Sequence, residues 1–487
     1  MHTSQAREIT YGIKCRIYPT LPQKRYLAQN IGCSRLLYNL YVDEGKERDK
    51  QAAIWHEQNP DKNGQAYPYK WKNYTDYYPG HPFLKDVDTR ALLNAKRNYF
   101  DARKRHYTQD AGKPRYHSKK RDKESYTTSN QNYKGSNGTR GNIRVITDEQ
   151  HQSHKTYLII PGCVRGAKVG PIRIKLSRQI KGDIVKATIT HEKSGKWSVS
   201  LTIRAIRQVP EPRDIKDGQP YRVFGGDLGV HTFLTGTDGV SYDDPHDYEK
   251  LERKLKKEER KLGKQRARLL KHGRNLRECR NYQKQRRKVA RLYERLRNAR
   301  ADFRHKLSRR LVESQDMICL EDLNVKGMMR NHSLAGSVAG RSFADFVRMV
   351  SYKAGWYGSR VVKVGRFFPS TRRCHKCGGV TGPQGLSDLG VREWSCSSCG
   401  AVLDRDGNAS WNVLLEGLRL SFGERLSDLV LCVNRWDGGV SLVSGSVAGE
   451  LAAVPDMDMY TLVVGGVDGS GESVVPRKCP RPEFRSE

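Results

Sequence analysis

The chain has 487 residues, more than one ordinary domain holds, so two to four folded units are expected. Lys and Arg number 89 against 53 Asp and Glu, a net charge of +36 with a pI near 9.8. A hydrophobic fraction of 36% and a mean hydropathy of -0.76 still support real cores and exclude wholesale disorder. No apolar run approaches about 18 residues, which excludes a transmembrane helix. The start, Met1-His-Thr-Ser-Gln-Ala-Arg7, has no apolar signal-peptide core, so a soluble, cytoplasmic protein without a membrane partner is expected.

Such a charge excess points to a polyanionic partner, because each neutralised phosphate releases condensed counterions. The bland alternative is a basic surface that serves solubility alone. Eleven cysteines, an odd number without a secretory route, argue against a disulfide framework. Four of them fall into two pairs. Cys15, Cys33, Cys163, Cys279, Cys319, Cys432 and Cys479 are scattered and read as inert.

Residues 9–18 alternate apolar and polar side chains and predict a strand ended by Pro19. Leu21, Leu27, Ile31, Leu36, Leu37, Leu40 and Tyr41 then follow a helical period. Residues 55–85 are aromatic and rich in Pro and Asn, an irregular excursion. Residues 89–107 are helical again, with Leu92, Leu93, Ala95, Tyr99 and Phe100 on one side. Residues 112–141 form a basic aromatic loop or hairpin, and 156–206 alternate strongly, with a turn at Lys193-Ser-Gly-Lys196. Residues 1–210 therefore read as a β-barrel-like (wedge) unit with helices inserted at about 42–110. Pro210 and Pro212 mark a linker.

A second unit, residues 211–373, opens with an apolar strand running into Gly225-Gly-Asp-Leu-Gly229. Residues 247–314 are helical, and 249–310 carry 26 Lys/Arg against 7 Asp/Glu, a net +19. Leu255, Leu262, Leu269 and Leu276 recur every seven residues, as do Val289, Leu296 and Phe303. A break at His272-Gly-Arg-Asn275 suggests two antiparallel helices. A solvated coiled coil without a ligand is the plain alternative, but the charge is too one-sided for intrahelical pairing. A strand at 316–321, a Gly/Ser loop, a helix at 343–356 and a strand at 360–364 follow. The cysteine pairs occupy 374–400, a last helix begins in 401–418, and 419–487 read as a weakly ordered, accessory, slightly acidic tail.

Cys374-His-Lys-Cys377 and Cys396-Ser-Ser-Cys399 have the spacing of two zinc knuckles, a zinc ribbon. Four thiolates leave no open position, so such a Zn²⁺ is structural. A redox pair is the alternative, and His375 is expected at the surface rather than on the metal. Asp227 and Glu321 each end an apolar strand, and Asp406 precedes the last helix. Converging carboxylates need cations between them, and oxygen ligands suit Mg²⁺ or Mn²⁺. Two such ions about 3.5–4 Å apart support phosphodiester cleavage. The order strand–acid, strand–acid, acid–helix fits an RNase H-like α/β fold. Taken singly, Asp227 also reads as a turn former, Glu321 as an ion-pair partner and Asp406 as a helix cap, and Asp404 competes for the third role.

Gly226-Asp-Leu-Gly229, Leu320-Glu-Asp-Leu-Asn-Val-Lys-Gly-Met328 and the run from Cys396 through Asp404-Arg-Asp to Ala409 resemble the OrfB/TnpB family. That family comprises transposon-encoded, RNA-guided RuvC-type DNA nucleases related to type V CRISPR effectors. Tyr352-Lys-Ala with Trp356, Phe368-Pro-Ser-Thr371, Gly112-Lys-Pro-Arg-Tyr116, Arg16 with Tyr18-Pro19, and Gly32-Cys33 with Arg35, Tyr38 and Asn39 are similar to it too. The likeness runs from about residue 10 to 418. It implies a multidomain α+β protein: a wedge unit, a RuvC domain with a long helical insertion, and a zinc ribbon. Its three RuvC acids fall on Asp227, Glu321 and Asp406, and its zinc ligands on Cys374, Cys377, Cys396 and Cys399. Ser410 stands where a second Ala is usual, Leu403 replaces a frequent polar residue and the knuckle spacing is long, but no ligand is missing.

The resemblance implies an RNA-guided DNA endonuclease acting at the nucleoid, as a monomer or homodimer. It would bind a guide RNA from the transposon end and double-stranded target DNA next to a short duplex motif. The basic helices would track phosphates, and Trp55, Tyr67, Tyr69 and Trp71 would stack on bases or pack. A non-cleaving guide-bound regulator, a strand-transfer transposase and a small type V CRISPR effector are the competing expectations.

Overall fold

The computed structural model describes residues 4–478 except 63, 110, 136–137, 148–154, 164–168, 216–218, 244, 246, 331–339, 385–386, 436, 446–456 and 467–471. Cys479 and most of the expected Gly/Ser loop lie outside the described residues. The chain forms two compact units, one of residues 7–207 with 264–291, the other of 1–6, 208–263 and 292–487.

In the first unit, strand β1 (Ser4–Tyr18) leads into helices α1 (Leu21–Gln58) and α2 (Thr89–Thr108). Pro19 cannot extend a strand ladder. The Thr20 N–H donates to Gln23 at 2.9 Å, satisfying an amide at the start of α1. Six further strands complete a sheet: β2 (Glu124–Ser129), β5 (Arg144–Thr147), β6 (Thr156–Ile159), β7 (Ile172–Lys175), β8 (Asp183–His191) and β9 (Trp197–Pro210). A separate hairpin holds β3 (Asn132–Gly135) and β4 (Gly138–Gly141). The sheet order is β2-β8-β9-β1-β7-β6-β5. It is an open sheet with β2 and β5 as its edges, so the barrel-like expectation holds only as far as a partial wrap. Ile13, Cys15 and Ile17 alternate inward and share a core with Leu27 and Ile31 of α1 and Ala91 of α2. Helix α2 is capped by Asp88, whose carboxylate accepts from the Arg90 N–H at 2.9 Å.

The second unit is built on a nine-stranded sheet. β10 (Tyr221–Asp227), β11 (Leu234–Gly236) and β12 (Ser241–Tyr242) are antiparallel neighbours. β13 (Met317–Glu321) lies parallel to β10, and β14 (Arg360–Val364) parallel to β13. Between β12 and β13 the chain makes α3 (Asp247–Lys271) and α4 (Arg280–Ser314). Buried Leu255, Val289, Leu292 and Leu296 lie along these helices, and Tyr248 Oη donates to the Ala299 carbonyl at 2.6 Å. Arg300 pairs with Glu252, while many of the remaining Lys and Arg side chains are exposed. Helix α5 (Phe343–Tyr357) covers one face of the sheet, where Phe343, Phe346 and Val350 meet Phe224, Ile318 and Leu320. Helix α6 (Arg405–Phe422) crosses the other, where Val413, Leu414 and Leu418 meet Val223, Met317 and Cys319.

That second contact is close enough to dictate glycine. A Cβ on Gly225 would collide with the Ser410 carbonyl oxygen and stand 2.6 Å from Leu414 Cβ. One on Gly417 would stand 2.8 Å from Cys319 Cβ. Helix α6 therefore lies directly on the β10 and β13 backbones.

The tail differs from the expected weakly ordered segment. β15 (Leu429–Asn434), β16 (Val440–Ser444), β17 (Met457–Gly466) and β18 (Glu472–Lys478) extend the sheet, and β16 pairs antiparallel with the first half of β10. The reason is local. Leu429, Leu431, Val440, Leu442 and Leu462 bury against α6 and β10, and this apolar set outweighs the Gly and Ser around it.

Candidate functional site

Strand register sets two of the three acids. Gly226 lies opposite Leu320 on parallel strands, so Asp227 and Glu321 follow at the same level and at the same pleat phase. The pleat sends Val223 and Gly225, and Met317 and Cys319, toward α6. The two acids continue that face at the carboxyl ends of their strands. Asp406 lies in the first turn of α6. Asp404 is spent otherwise: its carboxylate accepts from the Gly407 N–H at 2.7 Å and caps the helix. Asp406 accepts from Arg392 at 3.3 Å, and Glu321 accepts a hydrogen bond from the Ser370 hydroxyl.

Asp227 is buried, with 9% exposure. Burial raises its pKa well above the usual carboxylate range, and the charges of Glu321 and then Asp406 raise it further. The Arg405 charge and the Leu228 N–H act the other way. Burial also raises Glu321, against the Ser370 hydrogen bond. Glu321 and Asp406 thus stand near enough to Asp227 for their charges to oppose its ionisation. The three do not form a closed set, however. Among the described residues, the cysteine cluster is the group of such side chains whose ligand atoms all lie within 4.8 Å of one another. A buried carboxylate with two partly buried ones nearby fits a hard divalent cation, which would supply the missing positive charge.

Cys374, Cys377, Cys396 and Cys399 meet the sequence expectation of a four-sulfur cluster. Cys374 and Cys399 are 3.8 Å apart and Cys377 and Cys396 3.6 Å. A tetrahedral zinc with Zn–S of about 2.3 Å spaces its sulfurs by about 3.8 Å, so the set fits that ion. Gly378 and Gly400 take φ of 80° and 72°, left-handed turns that return their N–H groups to the Cys374 and Cys396 carbonyls. Burial opposes ionisation of Cys396. The Thr381 hydroxyl and nearby backbone N–H groups outweigh it and bring the thiol down to about 6, whereas burial raises Cys374 and Cys377.

His375 corrects its expectation as a surface residue. It docks on α6, with its backbone N–H and Nδ1 each 3.0 Å from Asn408 Oδ1 and its ring stacked 5.9 Å from Trp411. Ser370, Arg392, Asn408 and Asn412 all escaped the sequence reading. Ser370 and Asn408 stand inside the motifs that carry the family resemblance, which was the available signal. In the N-terminal unit, Trp71 packs on Phe100 at 5.0 Å and Tyr69 donates to buried Glu44 at 3.2 Å, and both rings stay partly exposed. Among the described residues, no helix is long and apolar enough to cross a membrane.

Two outcomes follow. Cys396→Ser lowers bound zinc well below the one equivalent per chain expected of the parent, while His375→Ala keeps it; elemental analysis of the purified proteins reads both. The second concerns pH. Because Asp227 holds its proton to higher pH in the folded than in the unfolded chain, metal-free stability falls as pH rises above the ordinary carboxylate range. Asp227→Asn is then more stable than the parent near neutral pH without divalent ions. Millimolar Mg²⁺ raises the melting temperature of the parent and not of the variant. A destabilised variant in calorimetry contradicts this.

Three family profiles match: "Probable transposase" (OrfB_IS605) over residues 207–332, an OrfB_IS605 "Helix-turn-helix domain" over 9–52, and "Cas12f1-like, TNB domain" over 343–413. Residues 9–52 here form the end of β1 and most of one continuous helix. A provisionally named RNA-guided DNA endonuclease of Streptomyces pristinaespiralis is 29% identical over 420 residues, covering 85% of this chain and 91% of the relative. The similarly named InsQ of Escherichia coli K12 is 26% identical over 365 residues, covering 72% and 78%. A solved Cas12f1–sgRNA–target DNA complex aligns with a TM-score of 0.42 at 14% identity, over 84% of this chain and 98% of that one. By its motifs, its profile matches and the relatives it aligns with over most of their length, the chain is similar to the OrfB/TnpB family.

Proposed function

We propose that this protein is an RNA-guided DNA endonuclease that cleaves phosphodiester bonds with a RuvC-like carboxylate site. The observation that carries the reading is buried Asp227, at the end of β10 and level with Glu321, lying within reach of the charges of Glu321 and Asp406. A structural role does not explain acids brought near one another from two strand ends and the first turn of a helix. The antiparallel order β12-β11-β10 followed by parallel β13 and β14, with an acid on β10, on β13 and on α6, supports an RNase H-like assignment.

Asp227, Glu321 and Asp406 would hold one or two Mg²⁺ or Mn²⁺ ions. When bound, such ions supply Lewis acidity and an activated water. The chain itself does the rest. Burial keeps bulk water from Asp227, Ser370 fixes one oxygen of Glu321, and Arg392 offers a cation beside Asp406. The cysteine cluster would hold a structural Zn²⁺. Exposed Lys and Arg on α3 and α4 would track the phosphates of a guide RNA and its DNA hybrid, with base pairing supplying sequence information. The guide would come from the end of the transposon that encodes the protein, and the site of action would be the nucleoid.

The test is Asp227→Ala assembled with guide RNA. It binds target duplex with the affinity of the parent and cleaves it about a thousandfold more slowly, since loss of a metal ligand removes several kcal/mol of transition-state stabilisation. Parental cleavage by the variant removes Asp227 from the mechanism. A parent that binds guided target and never cuts it in Mg²⁺ points instead to a non-cleaving regulator.

A further inference from the structure

We propose that Ser370 is a positioning residue for Glu321, and that through it the occupancy of the cysteine cluster is felt at the carboxylates. The inference deepens the nuclease reading and rests on it. Ser370 is 6% exposed and its hydroxyl donates to Glu321 Oε1. Its own carbonyl accepts from Asn412 Nδ2 at 2.8 Å and Asn408 Nδ2 at 3.4 Å. The same two amides donate to the Arg373 carbonyl at 2.6 and 2.8 Å. Asn408 and Asn412 stand one turn apart on α6, each 2% exposed, and clamp the short turn 370–373 from one side.

With Nδ2 committed to two carbonyls, Asn408 must turn Oδ1 the other way, where the His375 N–H meets it at 3.0 Å. His375 follows Cys374 directly, so the first knuckle is tied to α6, α6 to Ser370, and Ser370 to Glu321. Every link is a buried or part-buried hydrogen bond or a few residues of chain. Such a path has little slack, because each group it frees is left unsatisfied away from water. The contact at the far end is not neutral packing: a hydroxyl donating to a carboxylate favours the ionised oxygen a cation needs. Partners outside the ligand set that orient a metal ligand change metal affinity by about 10–100-fold.

The experiment titrates Mn²⁺ into the full-length protein near neutral pH and reads free Mn²⁺ by electron paramagnetic resonance. Wild type, S370A, S370T, C399S and D227A are compared. S370A is expected to weaken the tightest Mn²⁺ binding by about tenfold or more, and S370T, which restores a hydroxyl, to recover it. C399S, which removes the exposed ligand of the cluster, is expected to weaken Mn²⁺ in the same direction. S370A binding Mn²⁺ like wild type overturns the role of Ser370. C399S binding it like wild type overturns the link to the cluster. If D227A also titrates like wild type, the carboxylate reading fails and the positioning role fails with it, an outcome distinct from the other two.

Discussion

The molecule is organised around an electrostatic conflict: a buried carboxylate, Asp227, set against two others. Burying one charge is costly, and burying it beside like charges is worse. In the absence of cations the folded chain answers by holding the Asp227 proton, by tying Glu321 to Ser370 and by offering Arg392 to Asp406. Each answer is partial. The proposed divalent ions would supply the positive charge that these answers lack, and the proposed chemistry would use them.

The scaffold exists to hold the conflict in place. Parallel pairing of β10 and β13 levels two acids, and α6 brings the third. The helix reaches that depth only because Gly225 and Gly417 remove the side chains that would lift it. From behind, the strands of the tail pack Leu431 and Leu442 into the same core as Val413 and Leu414 of α6. What composition suggested was an appendage is part of the support for the helix that carries Asp406.

Much of this was legible in the sequence, and the physical reasons for the rest are specific. Asp227 and Glu321 announced themselves because an acid at the end of an apolar strand has few dull explanations, and the cysteines because their spacing encodes a geometry. The resemblance put the third acid on Asp406 with Asp404 as its competitor, and the hydrogen bond from the Gly407 N–H shows that Asp404 caps the helix. Closure of the N-terminal sheet was hidden: alternation gives strands, and pairing partners decide whether a sheet shuts. His375 looked like a surface residue because nothing in Cys374-His-Lys-Cys377 reveals Asn408 waiting on another element. The tail misled because Gly and Ser dominate its count, whereas its few Leu and Val fall at positions that bury.

Two donor sets, four thiols held beside α6 through His375 and carboxylates at its first turn, differ in the cations they would prefer. The most direct measurement is anomalous diffraction from crystals of the protein soaked in Mn²⁺. The account predicts anomalous density enclosed by Asp227, Glu321 and Asp406, as one peak or as two about 3.5–4 Å apart. Density elsewhere with that cleft vacant, or touching a single one of the three acids, would contradict it.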